Sequence, residues 1–320
     1  MKKSIIAIPL FTLFFLSWGL TGFAFNTYSF ATEFIVVDGL ALPESAIHDK
    51  EADLYLVSNF GVFPPDPANP PGFISRVRTD GEIVDLHWID GLLQPKGLAI
   101  DGDILYVSDV YAVRVYDRQD GALRDVWPVP FEDNINWLND VAVGPDGTVY
   151  ATDSGFGFCI PGEMIPCPNN AMAFYKFDGE GNLTVMSDGL SSLDGPNGIT
   201  AIGNNLFVTT FFSNRIYRTN SSGKMFPEAE VPGFFLDGLV RLTDNSLLVS
   251  SWSPPAIHMI NPSREKVTTI LDDSFAYFMD AGTGNPLFNL APADIGFDHS
   301  RNRILIPVLW GNTVIIYPME

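Results

Sequence analysis

The 320-residue chain carries 38 acidic against 18 basic side chains, a formal charge of −20, and 46% of its residues are hydrophobic. That surplus of negative charge repels phosphate backbones and excludes nucleic-acid binding by counterion release. The apolar fraction excludes an acidic disordered chain, and the length admits either two average domains or one large all-β domain.

Lys2 and Lys3 open the chain, an apolar run follows over residues 5–20, and the small residues Thr21, Gly22 and Ala24 come next. A basic segment, an apolar segment and a small-residue site, in that order, form the pattern of a secretory signal peptide, here residues 1–24. Cleavage after Ala24 and cleavage after Ala31 both satisfy the small-residue rule. The run is short for a membrane span, which needs about 20 residues. No later stretch is long and apolar enough to cross. The expectation is an exported protein, periplasmic or secreted, with no stable membrane insertion once the signal is removed.

From about residue 32 the sequence reads as short β-branched and aromatic runs separated by Gly, Asp, Asn and Pro clusters. No 3.6-residue periodicity lasts a dozen residues. A strand at 34–37 comes first. A unit then recurs six times, each with an opening strand, a polar turn and a second apolar strand. The openings begin at Glu44, Lys96, Asn139, Asn197, Asp237 and Ala293, spaced 52, 43, 58, 40 and 56 residues apart. The second strands begin at Leu54, Ile104, Val149, Leu206, Leu247 and Ile304. Turns such as Asp101-Gly102-Asp103 and Pro145-Asp146-Gly147 supply hairpin chemistry. Third strands are legible at 113–116, 173–177, 215–218, 257–260 and 313–317, and fourth strands at 82–89 and 266–271. A period of about 40–50 residues with four short strands per unit is the mark of a β-propeller. The predicted fold is therefore all-β, a six-bladed β-propeller forming a single domain over residues 32–320. The sixth unit lacks a fourth strand, and the strand at 34–37 is predicted to supply it and close the ring.

In a propeller the first strand of each blade lines the central channel, and the residue that opens it faces the channel mouth. The six openings then converge on one axis. Glu44, Asn139, Asn197 and Asp237 place two carboxylates and two amide oxygens there, a donor set suited to Ca2+ rather than zinc. Asp140 and Asp294, one residue on, stand behind that ring as supports for it. Asn-Gly and Asp-Gly also open tight turns, so Asn197-Gly198 and Asp237-Gly238 taken singly read as turn residues. Four oxygen donors at equivalent positions favour the cation site. Lys96 departs from the set and either pairs with an acidic ring member or points out of the channel.

The longest connections, residues 60–72, 154–170 and 272–292, gather on the face of that ring, where long loops form a lid or specificity wall. Cys159 and Cys167 fall in the second of them. Export favours a disulfide between them over a thiol metal site, because no second Cys pair or clustered His accompanies them. Phe158, Phe211, Trp252 and Trp310 lie in or beside these connections and read either as an apolar pocket rim or as satellite cores under the loops.

The ordered set Leu42-Pro43-Glu44, Asn139-Asp140, Pro196-Asn197-Gly198 and Asp237-Gly238, one per blade, resembles the regucalcin/gluconolactonase family. It is also similar to the wider six-bladed group with diisopropylfluorophosphatase and the paraoxonases. The resemblance runs over essentially the whole chain from residue 33. It implies a divalent cation, commonly Ca2+, in the channel and hydrolysis of lactones or phosphoesters. It implies Glu44, Asn197 and Asp237 as metal ligands, Asn139 as a ligand or a contact for water or substrate, and Asp237 as general base or nucleophile. Sugar-lactonase members usually carry an Arg two residues before the third-blade Asn. Trp137 stands there in this chain, which favours a hydrophobic lactone or ester over a polyhydroxylated one. The alternative function is a non-catalytic exported propeller that binds a ligand or protein partner on its loop face around a structural metal.

Overall fold

The structure, a computed structural model, describes residues 34–63, 68–130, 137–155, 172–186, 195–220, 224–261, 266–272 and 291–319. The signal segment, Phe158, Cys159 and Cys167 lie outside the described residues.

Strand β1 (Ile35–Asp38) precedes the first blade. Blade one comprises β2 (Pro43–Asp49), β3 (Leu54–Asn59), β4 (Gly72–Arg78) and β5 (Ile83–Leu92), and blade two β6 (Pro95–Asp101), β7 (Ile104–Asp109), β8 (Ala112–Asp117) and β9 (Leu123–Pro128). Blade three is β10 (Leu138–Val143), β11 (Val149–Asp153), β12 (Ala173–Phe177) and β13 (Leu183–Val185), and blade four β14 (Pro196–Ile202), β15 (Asn205–Thr210), β16 (Arg215–Thr219) and β17 (Met225–Glu230). Blade five is β18 (Phe234–Arg241), β19 (Leu247–Ser253), β20 (Pro255–Asn261) and β21 (Lys266–Leu271). Blade six holds β22 (Gly296–Asp298), β23 (Arg303–Val308) and β24 (Thr313–Pro318).

Each sheet is a four-stranded antiparallel meander, and β1 completes the sixth as its outer strand. Ile35 pairs with Ile316 and Val37 with Val314. The two ends of the chain are thereby stitched into one blade, which removes an open edge at the join. Among the described residues the one helical element is a 3-10 turn, Leu309–Gly311.

The second strands read as almost unbroken apolar runs because each is sandwiched between neighbouring blades. Leu56 and Ile74 of blade one pack with Leu98 and Leu105 of blade two, and Tyr106 and Trp127 of blade two pack with Val141 and Phe177 of blade three. The core therefore lies between blades, and each blade is stable only against its neighbours. At the hairpin ends away from Glu44, ion pairs join the blades. Arg118 of blade two meets Asp49 of blade one at 2.7 Å, and Arg301 of blade six meets Asp53 of blade one at 2.7 Å. The buried Asp298 carboxylate accepts the Tyr55 hydroxyl at 2.8 Å and lies 3.2 Å from His48 Nδ1.

Candidate metal centre

In blade after blade the pairing of the first two strands slips by one residue at the ring position. Pro43 faces Asn59 and Ala46 faces Val57, so Glu44 and Ser45 together oppose the single residue Ser58. In the same way Lys96-Gly97 opposes Ser108, Asn139-Asp140 opposes Thr152, Asn197-Gly198 opposes Thr209 and Asp237-Gly238 opposes Ser250. Blade six slips equally between the Pro292–Val308 and Gly296–Leu305 pairs, which bracket Ala293. An extra residue in one strand frees backbone groups from the ladder and re-aims a side chain. Here the slip falls on the ring residue of each blade.

The residue opposite each slip carries a hydroxyl in blades one to five, and that hydroxyl takes up freed backbone groups. Thr152 Oγ1 accepts the Asp140 N–H at 3.1 Å and donates to the Asn197 carbonyl of the next blade. Ser250 Oγ accepts the Gly238 N–H at 2.9 Å and donates to the Ala293 carbonyl at 2.8 Å. Thr209 donates to the Asp237 carbonyl at 2.6 Å, and Ser108 donates to that of Asn139. In blade six Pro307 occupies this position, and the Asp294 N–H instead donates directly to the Glu44 carbonyl at 2.9 Å.

Asn197-Gly198 and Asp237-Gly238 are strand residues rather than turns. Their glycines serve close approach between blades. A Cβ on Gly198 would stand 2.3 Å from the Asp237 carbonyl oxygen, and one on Gly238 would stand 2.3 Å from the Ile295 nitrogen.

Glu44, Asn139, Asn197 and Asp237 are 4%, 5%, 2% and 2% exposed. Each keeps one buried oxygen without a hydrogen-bond partner: Glu44 Oε2, Asn139 Oδ1, Asn197 Oδ1 and Asp237 Oδ1. Leaving such an atom unsatisfied costs about 1–3 kcal/mol, so four at equivalent positions mark a place built to be filled. The remaining atoms are tied down. Asn139 Nδ2 donates to Ser154 Oγ at 3.0 Å, which fixes its Oδ1, and Trp252 Nε1 donates to Asp237 Oδ2 at 2.8 Å. Asp140 is spent on the backbone, accepting the Val141 and Ile199 N–H groups at 2.7 Å each. Asp294 bridges β22's approach to Ser45 of blade one.

Burial pushes Asp237 up to about 8, with the Asp294 charge adding to it and the Trp252 and Asn197 side chains pulling it back. Burial likewise raises Asp294 to about 7. Glu44 stands well above the usual carboxylate range through burial and then the charges of Asp237 and Asp294, opposed by Lys96. Asp140 is raised by burial and then by Asp294. Neighbouring carboxyls thus raise Glu44, Asp140 and Asp237, and a hard cation is the charge that would relieve them. Among the described residues no group of three or more His, Cys, Asp or Glu is placed to hold a metal. The candidate set is of another kind, two carboxylates with two amides, all oxygen donors.

Lys96 and the ring member Glu44 each feel the other's charge. Lys96 is 1% exposed, and among the described residues it forms no ion pair. Its Nζ donates to the Gln94 carbonyl at 3.3 Å and the Leu138 carbonyl at 3.0 Å, and lies 4.6 Å from the Trp137 ring centroid. Burial lowers it to about 8, against the attraction of Glu44, Asp109 and Asp153. Asp153, itself raised to about 6 by burial, accepts the Trp137 backbone N–H at 2.9 Å and so fixes the backbone that carries that indole.

Trp252 and Trp310 pack with Phe60, Phe63, Ala293 and Leu309 in one cluster. Phe211 stands 5.3 Å from Trp252, and Phe63 stands 6.1 Å from Trp310 and 6.4 Å from Trp137. These contacts bring an aromatic wall up to the ring. Gln94, Ser154, Phe60 and Phe63 went unread in the sequence. Gln94 directly precedes β6, Phe60 and Ser154 directly follow β3 and β11, and Phe63 stands four residues past β3; nearness to a repeat strand is the signal that could have found them.

The sequence matches no protein-family model and no curated protein sequence. Among solved structures, a gluconolactonase from Xanthomonas campestris matches with a TM-score of 0.65 at 19% identity, over 91% of each chain. A gluconolactonase candidate from structural genomics matches with a TM-score of 0.63 at 17% identity, over 88% of this chain and 90% of its own. Virginiamycin B lyase from Staphylococcus aureus matches with a TM-score of 0.53 at 14% identity, over 90% of this chain and 100% of its own. The likeness establishes the fold, a six-bladed β-propeller of the gluconolactonase-like kind.

Proposed function

We propose that this chain is an exported, metal-dependent hydrolase that cleaves a hydrophobic lactone or ester at the mouth of the propeller channel. The observation that carries the reading is the set of four buried, unpartnered oxygens on Glu44, Asn139, Asn197 and Asp237. These residues would hold a divalent cation, Ca2+ by the hardness and number of the oxygens. When bound, such a cation supplies Lewis-acid polarisation of a carbonyl oxygen.

The protein's own part falls chiefly to Asp237. Trp252 Nε1 donates to its Oδ2 and leaves Oδ1 facing the cation position, so this carboxyl would stand beside the cation as general base or nucleophile. Asn197 is held through its carbonyl by the Thr152 hydroxyl, and Glu44 through its carbonyl by the Asp294 N–H. The aromatic wall of Phe63, Trp137, Trp252 and Trp310 excludes water and receives the hydrocarbon of the substrate. The gluconolactonase among the structural neighbours supports hydrolysis of a lactone. The basic and apolar start of the chain supports export, and in an oxidising compartment Cys159 and Cys167 would form a disulfide.

The test is a panel of short and long lactones, aryl esters and phosphotriesters, assayed with Ca2+ and after chelation. Turnover of hydrophobic lactones or esters that disappears with the metal is the expected result. No turnover of any substrate, together with specific capture of a protein partner, would favour a binding module instead.

A further inference from the structure

The ring is lopsided. On blade six Ala293 offers no polar side chain and packs with Leu309, Phe60 and Trp252. On blade two the equivalent residue is Lys96. An ammonium has three donors, and two of those on Lys96 go to the Gln94 and Leu138 carbonyls. Among the described residues no third hydrogen bond from this ammonium is formed. Beside it Gln94 is completely buried, and neither atom of its side-chain amide is hydrogen-bonded. Burying an ammonium without a paired carboxylate, next to an unsatisfied amide, is costly. The Trp137 face at 4.6 Å offsets part of the charge cost and leaves the amide unsatisfied. The Lys96 ammonium and Gln94 Nε2 are unmatched donors suited to an acceptor oxygen, and Gln94 Oε1 is an unmatched acceptor suited to an N–H.

We propose that Lys96 and Gln94 form the subsite for a second oxygen function of the substrate, a carbonyl or carboxylate oxygen borne on its acyl part, while the Ala293 side receives the hydrocarbon. The proposal rests on the hydrolase reading above and narrows it, from lactones and esters at large to those carrying an oxo, amide or carboxylate group. Lys96 and Gln94 bind and orient. Asp237 acts on the acyl carbon, and the guest oxygen held on blade two fixes the direction from which that carbon is presented.

The test compares three matched γ-lactones: alkyl, N-acylamino and carboxylate-substituted. Wild type, Lys96→Gln and Lys96→Arg are assayed at saturating Ca2+. Lys96→Gln is expected to lose about 10- to 100-fold in kcat/KM on the amide or carboxylate lactone, chiefly through KM, the value of a hydrogen bond to a charged group. That loss should exceed any change on the alkyl lactone by the same factor, and Lys96→Arg should recover most of it. A loss confined to the amide lactone identifies a neutral carbonyl guest, and one confined to the carboxylate an anionic guest. Equal loss on all three substrates, or loss on none, overturns the subsite. If wild type hydrolyses none of them, the hydrolase reading fails by itself. Calorimetric binding of the same three compounds then decides the subsite. Weaker binding of the substituted lactones by Lys96→Gln supports it, and equal or absent binding overturns it. Should Lys96→Gln fail to fold by thermal melting, Gln94→Leu carries the same comparison.

Discussion

Trp252 Nε1 donates to Asp237 Oδ2 at 2.8 Å, and Asp237 Oδ1 keeps no protein partner. One indole on β19 thus decides which oxygen of a carboxyl on the adjacent strand is available for chemistry. Trp252→Phe keeps an aromatic ring in the wall and removes that bond. The expected outcome is a fall in kcat of about 10- to 100-fold with a smaller change in KM, measured by steady-state kinetics. Unchanged kcat would remove the indole from the mechanism.

Asp237 at about 8 and Asp294 at about 7 stand far above the 3.8 of an ordinary aspartate. Between those values the folded chain holds protons that the unfolded chain releases, so stability falls as pH rises through that window. Metal-stripped protein should melt at a lower temperature at pH 8 than at pH 5. Ca2+ should raise the Tm more at pH 8, where the carboxyls are free to bind it. Scanning calorimetry with chelator and with Ca2+ at both pH values measures this, and a Ca2+ effect equal at both would contradict it.

Lys96 lies close enough to Glu44 for each charge to shift the other's titration. Its ammonium therefore also repels a cation held by Glu44. Lys96→Gln should tighten Ca2+ binding by about three- to tenfold, on the scale of one partly screened charge. Isothermal titration reads the change directly, and weaker binding would mean that Lys96 supports the ring instead of opposing the metal.

Gly238 is where blade five touches blade six. A Cβ there would meet the Ile295 nitrogen at 2.3 Å and Asp294 Oδ1 at 2.5 Å, both fixed by the strand behind. Gly238→Ala should cost about 2 kcal/mol or more and weaken cation binding. At Gly179 an added Cβ meets nothing within 4 Å, so Gly179→Ala should stay within about 0.5 kcal/mol. Denaturant unfolding compares the two, and equal losses would show that blade-to-blade spacing is not what the glycine protects.

The fold was legible because the repeat repeats. Five of the six openings and all six second strands fall in the strands the sequence places them in, Ala293 standing three residues before β22, and the orphan strand at 34–37 closes the sixth blade through Ile35 and Ile316. The one-residue slip was not legible. It is written as a pair of residues facing one Ser or Thr, and the Val57-Ser58, Val107-Ser108 and Val208-Thr209 steps look like ordinary strand. Asp140 and Asp294 were read as supports for the ring, and Asp140 is spent on backbone N–H groups of blades three and four. The surroundings of Lys96 were unreadable for a different reason. Gln94, Leu138 and Trp137 reach it from two blades, and sequence spacing within one repeat carries no information about contacts between repeats.

The central claim is that Glu44, Asn139, Asn197 and Asp237 hold one divalent cation on which hydrolysis depends. Its most direct test is a Ca2+ titration of chelator-stripped protein, with hydrolysis of an alkyl lactone followed in the same samples, for wild type and Asp237→Asn. Wild type is expected to bind one cation per chain and to gain turnover in step with occupancy, while Asp237→Asn stays folded and inactive. Equal turnover in the two proteins at matched metal content, or turnover that survives complete removal of the metal, would contradict the claim.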